Sequence, residues 1–310
     1  MVTGSITDIL QTSAMGGGEV TDDGGSDVTV RGVCWSTWSE PNDQHAWTED
    51  GSGVGSFTSD INGLEAGTTY YLRAYAKNTA GTGYGEIFSF STLDESSLVD
   101  IDGNVYQTVQ IGDQAWMAEN LKVTRLNDGT QLTMGAYTDP SESPFEERVY
   151  QYVCYDLQES NCETYGALYR DDLVMQTNKL CPAGWHISTN VEWDRLIAHL
   201  GGDAVAGGKL KQEGYELWNT PNTGASDEVG FEALPGGAFV MNVATVTLEF
   251  RYMHTQSWFW SPGGTEFYSG ADYEAARVLN HDSGDIRRFN SYIYQSMENQ
   301  NSLYVRCVRD

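Results

Sequence analysis

Five cysteines carry the most specific chemistry of this 310-residue chain, and their positions favour disulfide bonds over metal ligation. Cys181 opens the segment CPAGWH, and Cys307 stands near the end of the chain in YVRCVRD. A bond between them would close a loop of over a hundred residues and stabilise the fold by about 4–5 kcal/mol in the chain-entropy model. Cys154 and Cys162 flank a polar turn, where a local bond is expected. Because the count is odd, at least one cysteine stays unpaired.

Cys34 stands in the apolar segment RGVCW, where we expect it to behave as a small buried hydrophobic residue. There is no CxxC and no nearby His pair, so the sequence does not indicate a zinc site. Disulfides persist in oxidising compartments, and the cysteines therefore predict an extracellular or cell-surface location. Met1 is followed by VTGSITDIL, which is not a basic and apolar leader, so we expect any secretion leader to have been removed.

A second chemical candidate is a calcium site in the loop 222–228. Asn222, Asp227 and Glu228 offer oxygen ligands, with the flexible Gly224 between them. Carboxylate and carbonyl oxygens are the ligands that calcium takes. The alternative is a turn-rich loop whose Asn and Asp side chains bond to their own backbone.

The C-terminal part of the chain contains a candidate ligand-binding surface. Residues 253–280 and 288–304 are rich in Tyr, Trp, Ser, Asn and Gly, the composition of adaptable binding loops. Aromatic rings supply rigid contact area and also stack on sugar rings. The proposed contact residues are Trp258, Trp260, Tyr268, Tyr292 and Tyr294. For all of them, and most clearly for the tryptophans of WFWSP, the alternative is a place in the core.

Patterns typical of enzymes are absent from the sequence. There is no GxSxG, HExxH or glycine-rich phosphate loop. His186, in CPAGWH, is expected to have a structural role, and the abundance of carboxylates makes any single acidic pair uninformative. The sequence therefore predicts a protein that is not an enzyme, with calcium as the one candidate cofactor.

The charge of the chain limits its partners. It has 44 acidic and 17 basic residues, a formal net charge of −27 and a pI near 4.3. Such a chain repels phosphate backbones and anionic membrane surfaces, so we expect no nucleic-acid partner. No run of about 18 apolar residues is present, which argues against insertion into a membrane. The charge also fits a role in solubility alone.

The pattern along the chain predicts two domains. Residues 1–93 contain strand-like segments separated by Gly and Asp/Asn clusters, which predicts an all-β sandwich. Residues 94–98 form a short polar linker, and residues 99–310 are expected to be α+β. The clearest helix begins at a capping box, Thr189 to Glu192, and a second short helix is expected at about 203–213.

The first domain carries a resemblance in GLEAGTTYYLRAYAKNTAGTGYG (63–85). It resembles the E–F corner and F–G strands of a fibronectin type III domain, in a divergent form common in surface proteins of Bacteroidetes-like bacteria. Tyr70 matches the tyrosine-corner position. The resemblance implies a spacer. Trp35, Trp38 and Trp47 could form a binding strip, but strand packing is the favoured interpretation.

The second domain resembles the Fibrobacter succinogenes major paralogous domain over about 99–310. The resemblance lies in DIDGNVYQTVQIGDQAWMAENLK, YGALYR, CPAGWHISTNVEW, GGKLK, NTGASDEVGFEALPGG, WFWSP and VRCVRD, which occur in this order. It implies a C-type-lectin-like fold and a surface or secreted protein, and the Cys181–Cys307 pairing agrees with the long disulfide of that fold. Residues 99–310 contain none of the EPN, QPD and WND signatures of calcium-dependent sugar binding.

Together these observations predict a non-catalytic extracellular module that binds a carbohydrate or a surface protein through loops of its C-terminal domain. One alternative is a structural subunit of a surface assembly, in which the aromatic residues mediate self-assembly. Others are an enzyme of the sulfatase-modifying type and a phage receptor-binding protein. The first is disfavoured because the C-terminal part holds only Cys307 where those enzymes use a redox-active pair.

Overall fold

The chain folds into two units, Met1–Ser97 and Leu98–Asp310. The computed structural model describes residues 1–135, 151–176, 179–242, 245, 247–263, 274–290 and 301–309. No helix among these residues is long and apolar enough to cross a membrane.

The first unit is all β in its regular elements. Its strands are β1 Val2–Thr3, β2 Ser13–Val20, β3 Val30–Ser36, β4 Ala46–Trp47, β5 Gly55–Asn62, β6 Thr69–Asn78, β7 Gly81–Tyr84 and β8 Phe88–Ser91. One sheet has the order β1-β2-β5, and the other has the order β4-β3-β6-β7, with β8 also pairing with β6. Because side chains alternate along each strand, each sheet turns one apolar row inward.

The inner rows of the two sheets meet in one core. Ala14 and Ile61 come from the first sheet, and Val33 and Leu72 come from the second. The backbone N–H of Glu65 donates to the hydroxyl of Tyr70 at 3.0 Å, which is the tyrosine-corner contact that the sequence predicted.

The three tryptophans of the first unit do not form one strip. Trp35 is buried in the core, whereas Trp38 and Trp47 are exposed. Cys34 is a free, buried cysteine, as expected, and burial raises the pKa of its thiol to about 11.

The second unit combines strands with short helices. Its strands are β9 Ser97–Val99, β10 Val105–Ile111, β11 Gln114–Met117, β12 Tyr152–Val153, β13 Leu168–Arg170, β14 His186–Ile187, β15 Ala238–Asn242, β16 Thr247–Arg251, β17 Gln256–Trp260, β18 Glu274–Asn280, β19 Ile286–Asn290, β20 Ser302–Tyr304 and β21 Cys307–Arg309. Its helices are a 3-10 turn at Tyr155–Leu157, α1 Glu159–Tyr165, α2 Asp171–Gln176, α3 Asn190–His199 and α4 Asp203–Leu210.

Two sheets organise the second unit. One has the order β14-β21-β11-β10-β9, and the other has the order β12-β13-β20-β17-β18-β19, extended by β15 and β16. The end of the chain contributes β20 to one sheet and β21 to the other, so it lies at the centre of the unit. Val305 and Cys307, which belong to this segment, are fully buried.

Both predicted disulfides are present. Cys181–Cys307 joins the segment before β14 to β21 across 126 positions, with 5.9 Å between the Cα atoms. Cys154–Cys162 joins the residue before the 3-10 turn to α1 across 8 positions. The longer bond therefore holds β21 against the strand that it also pairs with, because Ile187 lies opposite Cys307.

Helix α3 begins at the capping box that the sequence predicted. The carboxylate of Glu192 accepts hydrogen bonds from the backbone N–H and the hydroxyl of Thr189, and it also contacts the ring of His186. This contact gives His186 the structural role expected of it. Helix α4 ends at Leu210, earlier than predicted, because Lys211 adopts an extended backbone conformation and its side chain is buried.

Candidate binding cleft in the C-terminal unit

The two tryptophans proposed as ligand contacts are core residues. Trp258 is 8% exposed and Trp260 is 3% exposed. The indole N–H of Trp260 donates to the backbone carbonyl of Tyr169, and the ring of Trp258 stacks on Tyr252. The expectation that these rings face a ligand is therefore corrected, because burying them against neighbouring strands removes their faces from solvent. Tyr268, Tyr292 and Tyr294 lie outside the described residues, and their proposed role stays a prediction.

Two of the three proposed calcium ligands, Asp227 and Glu228, use carboxylate oxygens for other contacts, whereas the side-chain oxygen of Asn222 is buried without a hydrogen-bond partner. The amide of Asn222 donates to the carbonyls of Gln212 and Gly214, at 3.0 and 2.8 Å. Asp227 accepts the backbone N–H of Glu232 at 2.9 Å, and Glu228 forms an ion pair at 2.8 Å with Lys209. No group of three or more His, Cys, Asp or Glu side chains suited to a metal occurs among the described residues. Calcium binding stays a prediction.

A lysine ammonium lies beside this loop. The side chain of Lys211 is fully buried and donates to the carbonyls of Thr223, Asn280 and Ser283, at 3.0, 2.8 and 2.9 Å. Burial lowers the pKa of this group to about 8. The ammonium of Lys211 therefore links the loop at Thr223 to the turn after β18. Calcium also takes carbonyl oxygens as ligands, so the lysine occupies acceptors that a metal could use.

A separate cleft of about 200 Å³ lies in the second unit. It is lined by Val105, Tyr106, Glu119, Asn120, Lys122, Glu163, Thr164, Tyr165, Gly166, Glu232, Leu234 and Arg306. Four segments that carry the family resemblance meet here, namely MAENLK, YGALYR, FEALPGG and VRCVRD. The fold therefore brings together residues that are far apart in the sequence.

Arg306 forms the floor of the cleft. Its guanidinium is fully buried and donates to the side-chain oxygen of Asn120 at 2.6 Å and to the carbonyls of Met117 and Phe231, both at 2.8 Å. A further bond of 3.2 Å reaches the carbonyl of Glu232. Burial lowers the pKa of Arg306 to about 9. The donors of this cation are directed to the protein itself, so Arg306 shapes the cleft.

Carboxylates give the cleft its chemistry. Glu119 is half-buried and accepts the backbone N–H of Gln107 at 2.8 Å, and burial raises the pKa of its carboxyl group. Glu163 is paired with Lys122 at 2.7 Å. Because a carboxylate accepts hydrogen bonds without donating any, this lining suits ligands that are rich in N–H or O–H donors.

Glu232 is held in an unusual backbone conformation at the rim. Its φ of +50° lies in the left-handed region, which costs a non-glycine residue about 1–2 kcal/mol. Its backbone N–H is bonded to Asp227 and its carbonyl to Arg306, while its side chain remains exposed. Backbone strain of this kind is concentrated at functional sites.

Gly166 keeps the cleft open. Its φ is +85°, and a Cβ at this position would lie 2.5 Å from the Cβ of Asn120. A side chain here would displace the residue that positions Arg306.

The sequence reasoning did not identify this cleft. Glu119, Lys122, Glu232 and Arg306 all stand in segments quoted for the family resemblance, and that was the available signal. The spacing gives no reason to bring Glu232 and Arg306 to the segment of Glu119 and Lys122, because the three segments are far apart in the chain. The described lining residues include no Cys, His or Ser, but Glu119, Glu163 and Lys122 are groups that can exchange protons.

Comparisons with known proteins give one family. The model of the Fibrobacter succinogenes major domain matches residues 109–309. A search of curated protein sequences finds no match.

Two of the similar solved structures each match about a third of the chain. The sixth fibronectin type III domain of human fibronectin type III domain containing protein 3 is 26% identical, with a TM-score of 0.24, and the match covers 32% of this chain and 88% of that one. The sensor domain of the anti-sigma factor RsgI4 from Pseudobacteroides cellulosolvens is 22% identical, with a TM-score of 0.23, and covers 30% of this chain and 92% of that one.

Proposed function

The chain belongs to the Fibrobacter succinogenes major domain family, and from this premise we propose that it is a non-catalytic binding module of the cell surface or extracellular space. Its ligand is a carbohydrate or a surface protein, recognised by the C-terminal unit. The two disulfides support an extracellular location.

The observation that carries the proposal is the cleft above Arg306. Its floor is bonded to the protein through four contacts, so the cavity is preformed and a ligand need not organise it. Its carboxylates accept hydrogen bonds from sugar hydroxyls as well as from the amines and guanidinium groups of a protein surface. Fixed acceptors in a preformed cavity support a binding role.

A C-type-lectin-like fold for the second unit is part of the same proposal. Two features support it: the long disulfide that anchors the final strand, and the pair of short helices α3 and α4 that follow its first cysteine. In such a frame, loops can vary without loss of the core.

The test compares a cleft variant with a matched control in the full chain. Glu119→Gln combined with Glu232→Gln removes two cleft carboxylates, whereas Glu213→Gln combined with Glu216→Gln removes two exposed carboxylates elsewhere in the same unit. Each protein is applied to a glycan array and to intact cells treated with glycosidase or with protease.

We expect the wild type and the control to bind and the cleft variant to lose about tenfold or more in affinity. Loss of cell binding after glycosidase treatment identifies a carbohydrate, and loss after protease treatment identifies a surface protein. Equal binding by the wild type and the cleft variant would show that the cleft is not the binding site. Turnover of any substrate by the purified chain would contradict the proposal that the protein is not an enzyme.

A further inference from the structure

The outer face of one sheet in the first unit carries a connected layer of aromatic and cationic side chains. In antiparallel pairs, opposed residues share a face, and Cys34 lies opposite both Trp47 and Arg73. Tyr75 lies opposite Tyr84, and Arg73, Tyr75 and Lys77 alternate along β6. We name the residues Trp47, Arg73, Tyr75, Lys77 and Tyr84 the outer-face platform. The inner face of the same strands holds Val33 and Leu72 in the core.

The platform is fixed by contacts within itself. Trp47 meets the buried ring of Tyr75 edge to face, with 6.5 Å between the centroids, and the ammonium of Lys77 lies 5.8 Å from the Trp47 ring. Asp43 links Lys77 to Tyr84. It pairs with Lys77 at 3.0 Å and accepts the hydroxyl of Tyr84 at 3.1 Å. The guanidinium of Arg73 stacks on Tyr84 at 4.0 Å.

This network holds exposed aromatic surface in place. Trp47 is 44% exposed, and Trp38, in the connection between β3 and β4, is 75% exposed. Exposed apolar surface that is contiguous and rimmed by polar residues marks interaction sites. Because Tyr75 and Lys77 support Trp47 from below and from the side, little side-chain entropy would be lost when a ligand covers it.

The charge of the unit selects among ligands. Residues 1–97 include 14 acidic and only 3 basic residues, so an anionic polymer is repelled. On the platform, Lys77 is paired with Asp43 and Arg73 lies on the ring of Tyr84, so two of the three cations of this unit stand among its many acidic groups. The face therefore presents the exposed ring of Trp47 beside polar side chains. Asp43 accepts hydrogen bonds, and Lys77 and Arg73 donate them.

We propose that the outer-face platform binds a neutral polysaccharide, with a sugar ring stacked on Trp47 and its hydroxyls bonded to Asp43, Lys77 and Arg73. The first unit then contributes its own binding surface and is more than a spacer. This site is independent of the cleft in the second unit, and the two can succeed or fail separately.

The experiment is affinity electrophoresis of the full chain through gels that contain a neutral polysaccharide (xylan, galactomannan or a β-glucan) or the acidic polysaccharide alginate. The variants are Trp47→Ala, Trp38→Ala and the control Val54→Ala, which removes another exposed apolar side chain of the first unit. The Glu119→Gln/Glu232→Gln cleft variant is run beside them. Thermal melting verifies that each variant is folded.

We expect at least one neutral polysaccharide to retard the wild type, Val54→Ala and the cleft variant, with the Trp47→Ala affinity about tenfold weaker. Retention of that retardation in Trp47→Ala would overturn the proposal, and so would retardation by alginate alone. The proposal would also be overturned if no neutral polysaccharide retarded the wild type. If the chain instead bound a protein partner and Trp47→Ala abolished that binding, the face would be assigned to a protein. Loss of retardation only in the cleft variant would assign sugar binding to the second unit.

Discussion

The guanidinium of Arg306 and the side chain of Asn120 form a hydrogen bond of 2.6 Å across 186 positions of the sequence. Asn120 is itself held by a bond of 2.8 Å from its amide to the carbonyl of Tyr165. The pair therefore links three segments of the second unit at one buried point beneath the cleft.

Replacing Arg306 with Lys should destabilise the second unit, although the charge is kept. An ammonium cannot reproduce the fork of donors that reaches Asn120 and the carbonyls of Met117 and Phe231. Buried acceptors left without donors cost about 1–3 kcal/mol each, so we expect a loss of about 2–5 kcal/mol in the free energy of unfolding. Chemical denaturation measures it. The control Arg287→Lys changes an exposed arginine and should stay within about 0.5 kcal/mol. Equal effects of the two variants would show that Arg306 is not the organising residue.

The two disulfides should contribute unequally. In the chain-entropy model a closure across 126 positions stabilises by about 5 kcal/mol, and one across 8 positions by about 2.5 kcal/mol. We therefore expect Cys181→Ala/Cys307→Ala to lower the free energy of unfolding by about twice as much as Cys154→Ala/Cys162→Ala. Guanidinium denaturation of the two double variants gives the comparison. A larger loss for the shorter bond would indicate that local packing, and not chain entropy, dominates.

Lys211 should give the stability a characteristic dependence on pH. Burial lowers its pKa to about 8 in the folded protein, below its ordinary value of 10.5. Between these values the unfolded chain binds more protons than the folded one, so the free energy of unfolding rises with pH across this window. Lys211→Met removes this rise of the free energy of unfolding with pH. It also leaves three carbonyls without their donor, so the variant should be less stable at neutral pH.

The measurement is denaturation of the wild type and of Lys211→Met from pH 7.5 to 10.5. Tyrosines that titrate in this range affect both proteins alike, so the difference between their pH slopes reports on Lys211. Lys209→Met serves as the control, since Lys209 is partly exposed and pairs with Glu228. The same pH slope in the wild type and in Lys211→Met would contradict the role given to this ammonium.

Calcium should not stabilise the loop 222–228 in the conformation seen in the structure. Asp227 already accepts the backbone N–H of Glu232, and Glu228 is already paired with Lys209, so an ion there would compete with both contacts. We therefore expect millimolar calcium to leave the melting temperature unchanged. A saturable rise that is absent with magnesium and lost in Asp227→Asn would show that the loop rearranges around calcium.

Local patterns in the sequence were sufficient for the features that depend on neighbouring residues. The capping box at Thr189 and Glu192 and the tyrosine corner at Tyr70 are confirmed, because each is a contact within a few positions of the chain. The disulfide Cys154–Cys162 is of the same kind. The longer Cys181–Cys307 bond was predicted from two cysteine-bearing segments and agrees with the family resemblance.

The sequence by itself determined the charge of the surface, the periodicity of the strands and the cysteines available for bonding, since these are properties of composition and spacing. Only the tertiary structure decided which polar residues meet. It placed Trp258 and Trp260 in the core and left Trp47 exposed, although all three stand in strands. It also directed Arg306 to Asn120 and Lys211 to three carbonyls. The physical reason is that burying a cation requires acceptors from several distant segments at once, and no local pattern states which segments those are.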